Sequence, residues 1–263
     1  MITEINTLRR YNVVKANDLI QKSRFSLSTQ EQKAILYIIS KIKPSDTELV
    51  EQIFDISEFC RVCGLDASNG ANYKYIKNTL KGLRDKSIWL TLPDGSETTL
   101  SWINKVTVSK SSGKVKIKLD DDMKPYLLQL GQRFSQYELI YTLAMKSQYA
   151  IRIYEILKSY QFRKKITFDI EEFKKIIDAE KYVNFKDFRV KVIEIALREI
   201  SAYSDILVNY VPIKEGKRVA YIEFEISLKR DLDDIINTRQ NIYQKLESVK
   251  TPNYDNEEYC LNQ

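Results

Sequence analysis

The 263-residue sequence contains no histidine. Imidazole is the usual general base near neutral pH and a frequent metal ligand. Its absence excludes Ser-His and Cys-His nucleophilic sites, and with them the paired-His metal sites of nicking enzymes. There is no G-x-x-x-x-G-K-[ST] segment, so a P-loop ATPase is also excluded. Seven glycines and five prolines are too few for a fibrous or low-complexity chain. Three scattered cysteines make no disulfide framework. The apolar runs stop at lengths such as "AILYII" (34–39), far short of the roughly 20 residues that a membrane helix needs. The N-terminus shows no apolar core of a signal peptide. These absences predict a cytoplasmic binding protein with no membrane segment, rather than an enzyme, and with neither metal nor cofactor.

What is present is a repeat. "FDISEF" (54–59) returns as "FDIEEF" (168–173), five of six positions matching. The surroundings match in the same order. Asn72-Tyr73-Lys74 answers Asn184-Phe185-Lys186, and Leu83-Arg84-Asp85-Lys86-Ser87 answers Leu197-Arg198-Glu199-Ile200-Ser201. "SSGKVKIKL" (111–119) answers "KEGKRVAYIEFEI" (214–226), a Gly-Lys turn dividing alternating apolar residues. Matches in order at nearly constant offsets indicate internal duplication, and the long period makes each copy a whole domain. With 43% apolar residues the chain can bury two cores. The expected division is an N-terminal domain over 1–130, a C-terminal domain over 131–230, and an acidic helix and disordered tail over 231–263. The net charges of these parts are +5, +5 and −4, so the acidic end masks part of a basic pair of domains.

Each copy reads as helix, strand, helix, helix, β-ribbon, the order of a winged helix-turn-helix. In the first, Ser28 and Glu31 have capping-box spacing before a helix that Pro44 closes. "VEQIFDI" reads as a strand, Ser57 caps a short helix that Gly64 stops, and 73–86 is the third helix. Segments 98–108 and 114–119 read as a hairpin. In the second, 146–161 is a helix, "KITFDI" a strand and "EEFKKIIDA" a short helix. The third helix, 185–202, turns Phe185, Phe188, Val192, Ile195 and Ala196 inward, with Lys191, Glu194 and Arg198 opposite. Residues 206–226 form a hairpin with Gly216 at its tip. The fold class is therefore α+β, two tandem winged-helix domains related by duplication, joined by a packed connector. One more helix follows Arg230.

A recognition helix enters the major groove with its first turns and directs its N–H groups at phosphates. The first turns here carry Lys186, Arg189 and Lys191 in one copy and Lys74, Lys77 and Lys81 in the other. The wings add Lys214, Lys217 and Arg218, and Lys110, Lys114 and Lys116. Solvated helix faces also carry Lys and Arg; the same placement in both copies and both wings favours DNA. Weaker candidates are set aside. Cys60 and Cys63 have the spacing of half a zinc site, yet Cys260 is far off in sequence and no histidine completes the set. Asp94 and Asp122 could suggest a metal-dependent nuclease, but Asp94-Gly95 is an ordinary turn and "DDDMKP" an ordinary helix start. "FRKK" (162–165) lies at a helix end, where a phosphate could also dock.

The segments "VVKANDLIQKSRFSLSTQEQKAILYIISKI" (13–42), "KSQYAIRIYEILKSYQ" (146–161) and "NFKDFRVKVIEIALREISAYSDI" with "GKRVAYIEFEI" (184–206 and 216–226) resemble the RepB/RepE-type plasmid replication initiators, which bind iterons. The resemblance runs in order from residue 13 to about 230. It implies two winged-helix domains gripping one directly repeated origin site. The helix 185–202 would read DNA with Lys186, Arg189 and Lys191, and the helix 73–86 would hold the other half. It further implies a homodimer through the N-terminal domain, with monomers initiating and dimers repressing. A DnaA-type host initiator and the replicative helicase are the implied partners. The main rival is a winged-helix transcription repressor.

Overall fold

The computed structural model describes residues 2–43, 45–63, 72–109 and 111–247. Pro44, Gly64, Lys110, Cys260 and the tail from Thr251 lie outside the described residues. The chain opens with α1 (Ile2–Arg9), β1 (Asn12–Ala16), α2 (Asn17–Gln21) and the short β2 (Ser23–Arg24). Next come α3 (Thr29–Ser40), β3 (Gln52–Asp55), α4 (Ile56–Cys63) and α5 (Asn72–Asp85). Two hairpins follow, β4 (Ser87–Thr91) with β5 (Glu97–Ser101), and β6 (Ile103–Ser109) with β7 (Lys114–Leu119). A connection of α6 (Lys124–Leu127), β8 (Phe134–Glu138) and α7 (Ile140–Leu143) leads to the second copy.

That copy holds α8 (Gln148–Ser159), β9 (Lys165–Asp169), α9 (Ile170–Ile176) and α10 (Phe185–Phe188). A π turn over Arg189–Ile193 joins α10 to α11 (Glu194–Tyr203). β10 (Ile206–Glu215) and β11 (Arg218–Leu228) complete it, and α12 (Leu232–Glu247) follows. Each copy closes on a three-stranded antiparallel sheet, ordered β3-β7-β6 in the first and β10-β11-β9 in the second. Helix, strand, helix, helix and wing thus recur as the sequence order predicts.

The repeated hexapeptide has a physical reason. Phe54 stacks on Phe59 at 5.3 Å between ring centroids, and Phe168 lies 4.9 Å from Phe173. The strand's last aromatic and the helix's first thus clasp across the strand-to-helix corner. Phe59 and Phe173 are fully buried. Tyr37 packs edge-on against the first pair, and Phe224 closes the second. Ser28 and Glu31 form the capping box that their spacing predicts: Glu31 N–H donates to Ser28 Oγ at 3.3 Å, and Ser28 N–H donates to Glu31 Oε2 at 2.7 Å.

Three details depart from the sequence reading. Ser57 does not cap its helix, because α4 already begins at Ile56. The second copy shows the rule: Asp169 accepts N–H bonds from Glu171 and Glu172, and α9 begins at Ile170. Asp55 occupies the matching position ahead of α4. The expected hairpin from residue 98 is two hairpins. Residues 97–101 pair with 87–91, and Trp102, buried at the break, separates them from β6. Third, the buried face of the second copy's third helix includes Ile193 and Ile200, while Phe185 and Ile195 are only half-buried. A π turn is underwound relative to an α-helix, so it rotates the residues beyond it.

The two copies meet in a seam. β8 pairs with β1, which ties the chain just after residue 130 back to its start. α8 packs against α11 on one side and α2 and α3 on the other. The seam contains charge: Lys15 on β1 pairs with Glu155 on α8, and the Tyr137 hydroxyl donates to the same carboxylate. One turn earlier on α8, Arg152 donates to the Ser23 carbonyl at 2.7 Å and lies 4.5 Å over the Phe25 ring. Burial pushes the Lys15 ammonium below its usual range, against the opposing pull of Glu155. Burial likewise lowers Arg152 to about 10 and Lys33 on α3 to about 8. Removing one partner of such a buried pair strands the other charge, at a cost of about 3–5 kcal/mol. The copies are therefore not free beads on a string.

Candidate nucleic-acid interface

The third helix of the second copy starts at a well-made cap. Asn184 Oδ1 accepts the Asp187 N–H at 2.8 Å, and its amide donates to the Asp187 carboxylate at 2.8 Å. Just behind this cap Lys186, Arg189 and Lys191 are all exposed. A helical wheel turns Arg189 toward the core, but the structure turns it outward, with 45% of its side chain exposed. The π turn accounts for this. Arg189 Nε lies 3.4 Å from Glu194 Oε1, a partner five residues on. Five residues advance an α-helix by about 140°, too far for that contact; the wider turn brings both onto one side.

Two of the three cations are engaged. Arg189 has Glu194, and Lys191 Nζ lies 3.0 Å from Asp187. The Asn184 bond, then Lys191, hold the Asp187 carboxyl below its usual range. Glu194 also lies within electrostatic reach of the Tyr210 hydroxyl on β10, which burial and this carboxylate push above its usual range. Exposed pairs of this kind are worth about 0–1 kcal/mol, so a phosphate or base edge can replace the carboxylate. Lys186 makes no ion pair among the described residues. Val190, which the sequence reading passed over, is 43% exposed between Arg189 and Lys191. It supplies an apolar group suited to a thymine methyl. Its signal in the sequence was an apolar residue off the buried stripe and flanked by cations.

The wing of this copy is a projecting arm. β9 pairs with β11 only from Tyr221 to Glu225. Beyond Tyr221, β10 and β11 continue alone to a turn at Gly216, whose φ of +61° suits glycine. Lys214, Lys217 and Arg218 sit on this exposed arm, without ion pairs among the described residues.

The first copy is built differently at the same place. Its Gly113 also has a positive φ, +62°. However, β7 pairs with β3 right up to Lys114, opposite Asp55, and the Ile56 N–H donates to the Gly113 carbonyl at 2.9 Å. By sheet register Lys114 corresponds to Tyr221 and not to Lys217. The shared Gly-Lys marks the turn in both copies, but only the second wing reaches beyond its sheet. Lys114 and Lys116 are exposed at the sheet rather than on an arm. On α5, Lys74 and Lys77 are exposed without ion pairs among the described residues, and Lys81 pairs with Asp85 at 2.7 Å.

Cys60 and Cys63 are free, buried core residues, and burial pushes the Cys60 thiol up to about 12. Among the described residues no three acidic, cysteine or histidine side chains cluster as a metal site. Asp94 closes the β4–β5 turn, accepting from Ser96 N at 3.0 Å and Ser96 Oγ at 2.6 Å. "FRKK" lies at the end of β9 away from the wing tip, because Lys165 registers with Glu225 while Asp169 registers with Tyr221. There Phe162 is 71% exposed under the Arg163 guanidinium, and Lys165 faces Glu223 and Glu225. No described helix is long and apolar enough to cross a membrane.

Comparison with known proteins adds to this geometry. Residues 12–158 match the family model described as "Initiator Replication protein, WH1", and residues 169–226 match "Initiator Rep protein, WH2". A curated "Replication initiation protein" of Escherichia coli is 25% identical over 252 residues, spanning 91% of this chain and 77% of its own length. A crystal structure titled as the WH1 domain of MSBI1.176, a replication protein isolated from a multiple sclerosis patient, is 18% identical. It covers 38% of this chain and 79% of that chain at a TM-score of 0.29, too low to carry an argument.

Proposed function

The chain belongs to the initiator Rep protein family of plasmid replication initiators, and from that premise we propose that it binds directly repeated double-stranded DNA at a plasmid origin. Each copy lays the start of its third helix in a major groove, and the projecting second wing follows the backbone. Lys186, Arg189, Lys191 and Val190 face the bases or the groove's lip, while Lys214, Lys217 and Arg218 hold phosphates. Lys74, Lys77, Lys81 and Lys114 hold the other half of the site. In this division of labour residues 131–230 do most of the sequence reading, and residues 1–130 add the second contact and a homodimer surface. Bound in this way, the protein promotes origin opening and recruits a DnaA-type host initiator and the replicative helicase.

The observation that carries the reading is the doubled one. Two copies of one helix-strand-helix-helix-wing unit each expose cations on the third helix, and several of those cations have no carboxylate partner among the described residues. The test uses the DNA flanking the gene. The protein should protect direct repeats of about 20 base pairs, two helical turns for two readers. Deleting those repeats should abolish maintenance of a plasmid that has no other origin. Protection of a lone palindrome, with replication indifferent to its removal, would support the repressor reading instead.

A further inference from the structure

The last helix, α12, belongs to neither copy of the repeat, yet it touches both. Its start is capped by Asp231, whose carboxylate accepts from Asp233 N at 2.9 Å and Asp234 N at 3.2 Å. It is fixed to the second copy: Lys229 Nζ donates to Thr238 Oγ1 at 2.7 Å and to the Ser201 carbonyl, and α12 packs along α11. α11 continues the reading helix, so α12 lies behind the DNA-facing cations. Thr238, Ile242 and Leu246, four residues apart, form its buried face.

The other contacts lead to the first copy. Arg239 Nη2 lies 2.8 Å from Glu138 Oε1, on the β8 strand that pairs with β1. The second oxygen of Glu138 faces Arg10, at 3.8 Å. Near the end of α12, Tyr243 and Glu247 lie within electrostatic reach of buried Arg9 on α1. Arg9 in turn donates to the carbonyls of Arg61, at 2.7 Å, and Val62, at 3.4 Å, at the end of α4. The helix expected after Arg230 is present as α12, with Asp233 and Asp234 in its first turn. The segment is a packed helix, and cutting the chain at residue 232 would remove part of the core.

We infer that α12 is a brace that adds to the seam in fixing the distance and rotation between the two DNA-reading helices, so that its buried face at Ile242 and the Glu138–Arg239 pair help set which half-site spacing the protein accepts. Resting on the two-handed grip proposed above, the reasoning is geometric. One added base pair moves one half-site by about 3.4 Å and turns it by about 35° relative to the other. A pair of readers held rigidly cannot follow that change and loses its second contact. A pair held by a slack connection can follow it.

The test measures affinity for the natural repeat and for repeats carrying one or two inserted base pairs between the halves. Two variants are compared with the full unaltered chain: Ile242→Ala, and the double variant Glu138→Gln/Arg239→Gln. The double variant leaves the apolar face intact should Ile242→Ala fail to fold. The unaltered chain should bind the inserted sites about 10²-fold more weakly, having lost the avidity of the second hand. The variants should narrow that ratio severalfold without abolishing it, because the β1–β8 pairing and the Lys15–Glu155 seam still join the copies. Variants that keep the full ratio overturn the brace. So does an unaltered chain that binds the repeat but ignores the insertion, a result that leaves the DNA grip standing. An unaltered chain that binds no repeat at all removes the grip and the brace together.

Discussion

Raising salt from about 50 to about 200 mM is expected to cost this protein on the order of 10³–10⁵ in affinity for its DNA site, if about six to ten phosphates are contacted. Ten exposed cations are available for them: Lys186, Arg189, Lys191, Lys214, Lys217 and Arg218 in the second copy, and Lys74, Lys77, Lys81 and Lys114 in the first. Each phosphate neutralised releases condensed counterions, and that release is worth less as salt rises. Arg189, Lys191 and Lys81 already have carboxylates beside them. Their contribution is partly offset, which places the expectation toward the lower end of the range. The measurement is the slope of log affinity against log salt, expected near −5 to −9. A slope close to zero would mean that the basic faces do not meet a polyanion.

The second large effect concerns the weaker-looking hand. Replacing Lys74, Lys77 and Lys81 together with Ala, in the intact chain, is expected to lower affinity for the repeat by about 10²–10⁴. Once the second copy is seated, the α5 contact is effectively intramolecular, so its loss removes avidity as well as three charges. All three lysines are exposed, and surface changes of this kind usually shift stability by less than about 0.5 kcal/mol each. The intact chain is the right background because the Lys15–Glu155 pair and Arg152 bury charge in the seam. Cutting the copies apart would mix folding with binding. A loss below about threefold would make the protein one-handed.

How much of this was legible in the sequence depends on how local the cause is. "FDISEF" and "FDIEEF" announced the duplication because the clasp of Phe54 on Phe59, and of Phe168 on Phe173, requires aromatics at that spacing. Ser28 and Glu31 announced a helix start because the capping box closes within four residues. The β1–β8 pairing joins strands more than a hundred residues apart, and nothing in either strand specifies the other. The wings matched at Gly113-Lys114 and Gly216-Lys217, but their reach depends on where pairing with β3 and β9 stops. That is a property of the sheet. The candidate cations were legible as residue types at helix starts. The pairs of Lys81 with Asp85 and of Lys191 with Asp187 lie at the ordinary helical spacing of four and were legible too. The pair of Arg189 with Glu194 was not, since a partner five residues away requires a π turn that no wheel anticipates. The 238, 242, 246 spacing of α12 was readable as a buried helical face; that it covers both copies was not.

The central claim is that the start of the helix running from Phe185 reads DNA bases. Its most direct test is a binding-site selection from random duplexes, run on the unaltered chain and on Lys186→Ala, Arg189→Ala, Lys191→Ala and Lys217→Ala variants. At least one helix variant should lose preference at one or two base pairs, at about 1–3 kcal/mol, because a guanidinium or ammonium at that depth meets guanine O6 and N7. Lys217→Ala, on the projecting arm, should weaken binding to all sequences alike and lower the salt slope by about one unit. A selected sequence that is the same for the unaltered chain and for all three helix variants would contradict the account.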